Sequence, residues 1–579
     1  MRRAFDKLWP YLWRYRSGLF LGIGALILKD LFQAAQPIII GSAVDSLTRQ
    51  FSMSKLLWFA VALVALSALK GLFQYWMRVI LIGISRDIEY DLRNDLFRHL
   101  VTLSWDFYAR FRTGDIMARA TNDLNAVRMM LGPGVMYWTE TMLTLILSVG
   151  VMAWVDWPLA LITLAPAPVV SFVVVIFGRM IHTRFETIQK MFSDISSRVQ
   201  ENLSGVRVIR AYVQEPAELR QFETLNREYI RENIGLARAQ GMFMPVLQAL
   251  IGMAFLCVLW AGGARVLSGA ISVGQFVMFT TYMGTLVWPM IALGWVVNLM
   301  QRGTASLARI DALMQERPSL QEPASPRPIA RVRGEIEFRN VSVQFGEAQT
   351  LKDVNLRIPA GTTVAVVGHT GSGKSTLVNL IPRMLDPTAG AVLIDGHDIR
   401  EYSSSKLREH IGFVPQETFL FSATLGENIA FGVKSATPAQ IQHAAEIAGL
   451  AADIQSFPKG FDTMVGERGI TLSGGQKQRT AIARAILRNP AILILDDALS
   501  SVDTLTEERI LTGLQQVMKG RTTILISHRV STVRAADRIF VIEFGRVAEE
   551  GTHSELIARG GYYADLYQKQ LLEEELEAI

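Results

Sequence analysis

Two patterns of hydrophobic and polar positions divide this chain. The first half carries roughly six apolar stretches, each long enough to cross a bilayer at about 20 residues per span. They centre near Leu19–Val44, Leu56–Ile82, Val135–Trp154, Leu159–Phe177, Met242–Gly262 and Phe276–Val297. So many long runs do not fit the buried helices of a soluble core. After about residue 335 the pattern changes to short apolar runs such as TVAVVG, AILILD and TTILIS, which read as buried strands separated by helical stretches.

The connections between spans alternate in length. Those around Asp156 and Ser268 are short, while Ser85–Gly134 and Arg179–Gly241 run to about fifty or sixty residues, far beyond an ordinary loop. Both are mixed apolar and charged, and they predict helices that leave the membrane and turn back near Thr113-Gly114-Asp115 and near Glu215-Pro216. Arg86, Arg93, Arg98, Arg207, Arg210 and Arg220 place them on the cytoplasmic side, together with the basic, aromatic N-terminus MRRAFDKLWPYLWRYR. That N-terminus has no small-residue cleavage site and reads as an interfacial helix. Lys29, Asp30, Lys70 and Arg78 interrupt the first two spans. Counted from the outer loop, Asp30 and Lys70 fall at similar depth, so they are expected to approach each other or share a cavity.

Composition sharpens the division. Hydrophobic residues make up 50% of the 579 residues and charged residues 19%, below the ordinary soluble share of about 25%. The net charge of +5 comes with no long basic run away from the membrane helices, which argues against a nucleic-acid partner. A single cysteine, Cys257, excludes an intrachain disulfide. The Pro-rich, charged segment Gln315–Gly334 marks a linker. Expected domains are therefore residues 1–314 in the membrane, the linker 315–334, and a cytosolic unit 335–579. The fold class is an all-α six-helix transmembrane domain fused to an α/β nucleotide-binding domain with a helical subdomain.

The chemistry lies in the second half. Gly368, His369, Thr370, Gly371, Ser372, Gly373, Lys374, Ser375 and Thr376 spell a phosphate-binding loop between a strand and a helix. Glycines let successive N–H groups face phosphate oxygens. Lys374 would reach the outer phosphates, and Ser375 would hold Mg²⁺. Asp496, at the end of a buried strand, would bind Mg²⁺ through water, and Asp497 would act on the attacking water. Gln416 offers an amide oxygen to the metal or to that water, and His528, at another strand end, can contact the γ-phosphate. Phe345 ends a strand-like run and reads either as core or as a face on which adenine stacks. Ser473, Gly474, Gly475 and Gln476 open a second helix suited to an anion. With one cradle already present, the second suggests a pocket on another copy of the domain.

These motifs, in this order, resemble the half-transporters of the ATP-binding cassette exporter family across essentially the whole chain. GHTGSGKST is similar to Walker A, Gln416 to the Q-loop, LSGGQ to the signature, ILILD to Walker B, SSVD to the D-loop, and His528 to the switch histidine. Phe345 stands where the family usually has a tyrosine, and VGERG resembles the exporter segment that touches the membrane domain. The resemblance implies ATP and Mg²⁺ as ligands, a multi-pass protein of the bacterial plasma membrane with both termini cytoplasmic, and a dimer that sandwiches two ATPs. It also implies that the two cytoplasmic turns couple ATP-driven closure to alternating access, exporting a cargo that is amphipathic, drug-like or lipid-like. An ATP-gated or regulatory membrane subunit is the alternative. Asp497 departs from the glutamate usual in active cassettes, which predicts slow hydrolysis here and a heterodimer with a homologous half-transporter.

Overall fold

The computed structural model describes every residue except 1, 50–51, 330, 467–468, 470–471, 501–503 and 578–579. The D-loop residues Ser501 to Asp503 and Glu467 and Arg468 of VGERG thus lie outside the described residues. The chain divides into two compact units, one of Met1–Thr102 and Phe111–Glu316, the other of Leu103–Arg110 and Arg317–Ile579.

Among the described residues of the first unit, six helices are long and apolar enough to cross a membrane: Arg16–Arg49, Met53–Leu100, Thr113–Val155, Trp157–Ser204, Glu215–Leu267 and Val273–Gln315. At 34 to 53 residues they exceed a bilayer's need, so the polar ends project beyond it, as the long mixed connections predict. Residues Arg2–Arg14 form a separate N-terminal helix with Trp9 and Trp13 exposed and Leu8 buried. The turns of the long connections fall a few residues earlier than expected. Gly114 and Pro216 lie in the first turns of helices, and the chain reverses through the short helices Trp105–Arg110 and Val206–Ala211. Proline suits a helix start because its missing N–H would be unpaired there anyway. The Trp105–Arg110 helix belongs to the second unit: Leu320 N donates to Ser104 Oγ at 3.2 Å, and Ser319 Oγ to Asp106 at 2.8 Å.

Asp30 and Lys70 come within electrostatic reach of each other, as expected, but the ion pair of Asp30 is with another lysine. Lys29 Nζ lies 2.7 Å from Asp30 Oδ1 and 2.5 Å from Glu140 Oε1 in the third span, with the Lys29 side chain 1% exposed. The flexible lysine stem brings its ammonium back to its own neighbour, so Asp30 Oδ1 is paired within its own span, while its Oδ2 is buried without a hydrogen-bond partner. Lys70 stands near enough to act electrostatically on all three but is not Asp30's bonded partner. Near the other end of these spans, the first and sixth helices touch backbone to backbone at Gly41 and Gly274. There Asp45 accepts from Gly274 N at 2.8 Å and from Ser272 Oγ.

The described residues of the second unit form two sheets. Strands β1 (Ile336–Phe345), β2 (Ala348–Ile358), β4 (Ala389–Ile394) and β5 (His397–Asp398) form an antiparallel sheet in the order β2-β1-β4-β5. The other strands are β3 (Thr363–Val367), β6 (Ile411–Val414), β7 (Ile492–Asp496), β8 (Thr522–Ile526), β9 (Arg538–Glu543) and β10 (Arg546–Gly551). They run β10-β9-β3-β8-β7-β6, parallel except for β10. β7 and β8 are buried along their whole length, as apolar runs in a sheet covered on both faces must be. A cluster of short helices that includes Leu425–Ala430 and Pro438–Ile447 packs on the helix Gly474–Leu487 and forms the helical subdomain.

Candidate nucleotide site

The carboxyl ends of β3, β7 and β8 meet at one pocket, where an open parallel sheet presents its ligand groups. β3 delivers the loop from Gly368 onward. A Cβ on Gly368 would stand 2.1 Å from the Ile542 carbonyl oxygen, so no other residue fits there. Gly373 takes φ +103° to turn the chain into the helix Lys374–Leu380, a conformation that costs glycine little. Lys374 is 7% exposed, and its Nζ donates to the carbonyls of Gly368 and His369, each at 2.8 Å. Burial pushes its pKa down, against the pull of Asp496 and Asp497. The ammonium is thus desolvated and rests on two backbone carbonyls.

The pocket, about 180 Å³, is lined by Thr370, Gly371, Gly373, Lys374, Ser375 and Thr376 of the loop, and by Gln416, Asp496, Asp497 and His528. Asp496 is 3% exposed. Burial raises its pKa, the Ser375 hydroxyl bond lowers it, and the adjacent Asp497 raises it further. Asp497 has φ +49°, and both of its backbone polar groups are tied. Its N–H donates to the Ile526 carbonyl at 2.9 Å, and its carbonyl accepts from Ser500 Oγ at 3.0 Å. Gly368, His369 and Ser372 do not line the pocket; Gly368 and Ser372 are buried and His369 is exposed. Thr350 and Ile526 line it without any sequence signal, because β8 reaches the loop as the neighbour of β3 in the sheet and β2 through the packing of the other sheet.

Among the described residues no group of three or more His, Cys, Asp or Glu is placed to cage a metal. The oxygens that line the pocket include the Ser375 hydroxyl, the Asp496 and Asp497 carboxylates and the Gln416 amide. Such a sparse hard-oxygen set fits Mg²⁺, which keeps waters and takes further ligands from substrate phosphates.

Two predicted groups lie outside the pocket. Phe345 is 45% exposed at the end of β1, so it is not a core aromatic. Ser473 caps the helix Gly474–Leu487 in a reciprocal box: its side chain accepts from Gln476 N at 3.2 Å, and its own N–H donates to Gln476 Oε1 at 2.9 Å. Ser473 and Gly474 are exposed, and none of Ser473 to Gln476 lines this chain's pocket.

Comparisons with known proteins agree with this architecture. Residues 19–290 match the family model of the ABC transporter transmembrane region, and residues 351–500 that described as ABC transporter. The chain is 37% identical to the probable multidrug resistance ABC transporter ATP-binding/permease protein YheI of Bacillus subtilis, over 99% of this chain and 98% of that one. It is 35% identical to an ATP-dependent lipid A-core flippase of Syntrophus aciditrophicus, over 95% of this chain and 92% of the relative. A bacterial Atm1-family ABC exporter solved with ATP bound superposes with a TM-score of 0.78 at 30% identity, covering 96% and 98% of the two chains. The protein is therefore a half-transporter of the ATP-binding cassette exporter family, a multi-pass membrane ATPase that works as a dimer and couples ATP hydrolysis to export.

Proposed function

We propose that this chain is the slow-pocket member of a heterodimer with a homologous half-transporter. The observation that carries the reading is Asp497. Its side chain is one methylene shorter than the glutamate usual in active cassettes of the family. The bond from the Asp497 N–H to the Ile526 carbonyl of β8 holds its backbone beside that strand and supports the view that the backbone does not make up the missing reach. A misplacement of about an ångström costs on the order of a hundredfold in rate. ATP would still bind through Lys374 and Ser375, with Mg²⁺ held by Ser375, Asp496 and Gln416, which would supply charge neutralisation on the phosphates. Phe345 would stack on adenine, and His528 would contact the γ-phosphate. The Ser473–Gln476 end, exposed at Ser473 and Gly474, would complete a faster pocket on the partner chain. Those intact groups also favour the second reading, a homodimer.

The cargo we infer is amphipathic, drug-like or lipid-like. Spans rich in Leu, Met, Phe and Trp support it, as do the relatives named for multidrug resistance and lipid A-core flipping. The arginines of the long connections support cytoplasmic termini in a bacterial plasma membrane. Residues 1–314 and 335–579 would be the two domains, joined by the linker 315–334.

The test is ATP turnover by the chain purified alone, before and after Asp497→Glu. Slow turnover that rises about a hundredfold with glutamate supports the reading. Vigorous wild-type turnover as a homodimer, unchanged by glutamate, removes it.

A further inference from the structure

His528 sits in the turn between β8 and the short helix Val530–Val533, so the direction of its imidazole depends on how that turn is held. The first amide of the helix, Val530 N–H, has no cap from the preceding side chain. The cap comes from 40 residues further along the chain. Gln570 Oε1 accepts from Val530 N at 2.7 Å, and Gln570 Nε2 donates to the His528 carbonyl. One side-chain amide thus grips the backbone on both sides of Arg529. A primary amide suits this task because it offers a donor and an acceptor side by side. The turn is held a second time by Glu507, 2% exposed, which accepts from Arg529 and from Thr532 Oγ1.

Gln570 lies on a well-anchored helix, Tyr562–Glu577. Tyr563 there is fully buried in a cluster with Val367, Val530 and Val533. Tyr562 packs edge-on against His369 of the phosphate loop, with ring centroids 4.5 Å apart. A single helix therefore touches the phosphate loop at its start and the turn of His528 about 12 Å further along.

We propose that Gln570 is a positioning residue for ATP hydrolysis: its amide fixes the His528 turn, so the C-terminal helix sets how well that histidine meets the γ-phosphate. Glutamate at this position keeps the bond to Val530 but sets a carboxylate against the His528 carbonyl. Methionine keeps the volume and makes neither bond.

The proposal rests on the ATPase assignment of the family and not on the heterodimer. The experiment uses the full chain in lipid nanodiscs, in the assembly it purifies with, as wild type or Asp497→Glu, whichever turns over faster. With ATP as the probe, Gln570→Met should lower kcat about tenfold to a hundredfold while KM stays within about twofold. Gln570→Glu, which retains the helix cap, should also lose turnover while keeping the wild-type melting temperature. In a His528→Ala background Gln570→Met should cost nothing more, because the group it positions is gone. Full kcat in Gln570→Glu, or an undiminished further loss from Gln570→Met in the His528→Ala chain, would overturn the assignment.

Discussion

Asp453 holds the signature glutamine in place. Gln476 Nε2 donates to Asp453 Oδ1 at 2.8 Å, and the other carboxylate oxygen accepts from Arg479 at 2.7 Å. Gln476 Oε1 meanwhile closes the capping box on Ser473, so the start of the helix Gly474–Leu487 is tied to the helix Ala451–Ser456. Bonds to a charged group are worth about 1.5–3 kcal/mol. Asp453→Ala should therefore loosen Ser473 and lower turnover about tenfold in the partner pocket that this helix is proposed to complete. Nucleotide binding to this chain's own phosphate loop should persist. Equal losses of binding and turnover would contradict it.

Lys374→Ala removes the ammonium that rests on Gly368 and His369. The expected result is at least a tenfold weaker ATP affinity, about 1.4 kcal/mol or more, measured by equilibrium titration of the purified chain. Unchanged affinity and unchanged transport would strip the loop of its phosphate role.

Lys29 is the shared cation of two carboxylates, and burial leaves Asp30 no solvent to fall back on. Breaking a buried pair by deleting one partner costs about 3–5 kcal/mol. Lys29→Met should accordingly lower the melting temperature in nanodiscs far more than Glu140→Gln, whose side chain is 26% exposed. A melting curve for Lys29→Met that overlays the wild type would show the cluster to be energetically idle.

Gly274 admits no side chain. A Cβ there would stand 2.0 Å from the Gly41 carbonyl oxygen, and one on Gly41 would stand 2.7 Å from that of Gly274. Backbone cannot swing aside as a side chain can, so Gly274→Ala must separate the first and sixth helices, at about 1–3 kcal/mol or more. Gly284→Ala on the same helix meets nothing within 4 Å and serves as the control. Thermal unfolding of the two variants should differ clearly; similar curves would contradict the close approach.

Much of this was legible because the information is local. Each span is a continuous run of apolar residues, and the phosphate loop, LSGGQ and ILILDD are each contiguous, with spacing set by backbone reach alone. The strands leading to Lys374, Asp496 and His528 were readable for the same reason: full burial in a parallel sheet demands unbroken apolar runs.

What the sequence determined by itself, then, is the membrane helices, the α/β cassette and the loops that face phosphate. Only the tertiary structure decided which distant side chains hold those loops. Gln570 at the His528 turn, Asp453 under Gln476, Thr350 beside Lys374 and Glu140 beside Lys29 have no local pattern. The membership of Leu103–Arg110 in the cassette unit has none either. The physical reason is that a hydrogen bond or ion pair requires two groups within a few ångströms, and for residues tens to hundreds of positions apart that distance is set by the packing of whole elements.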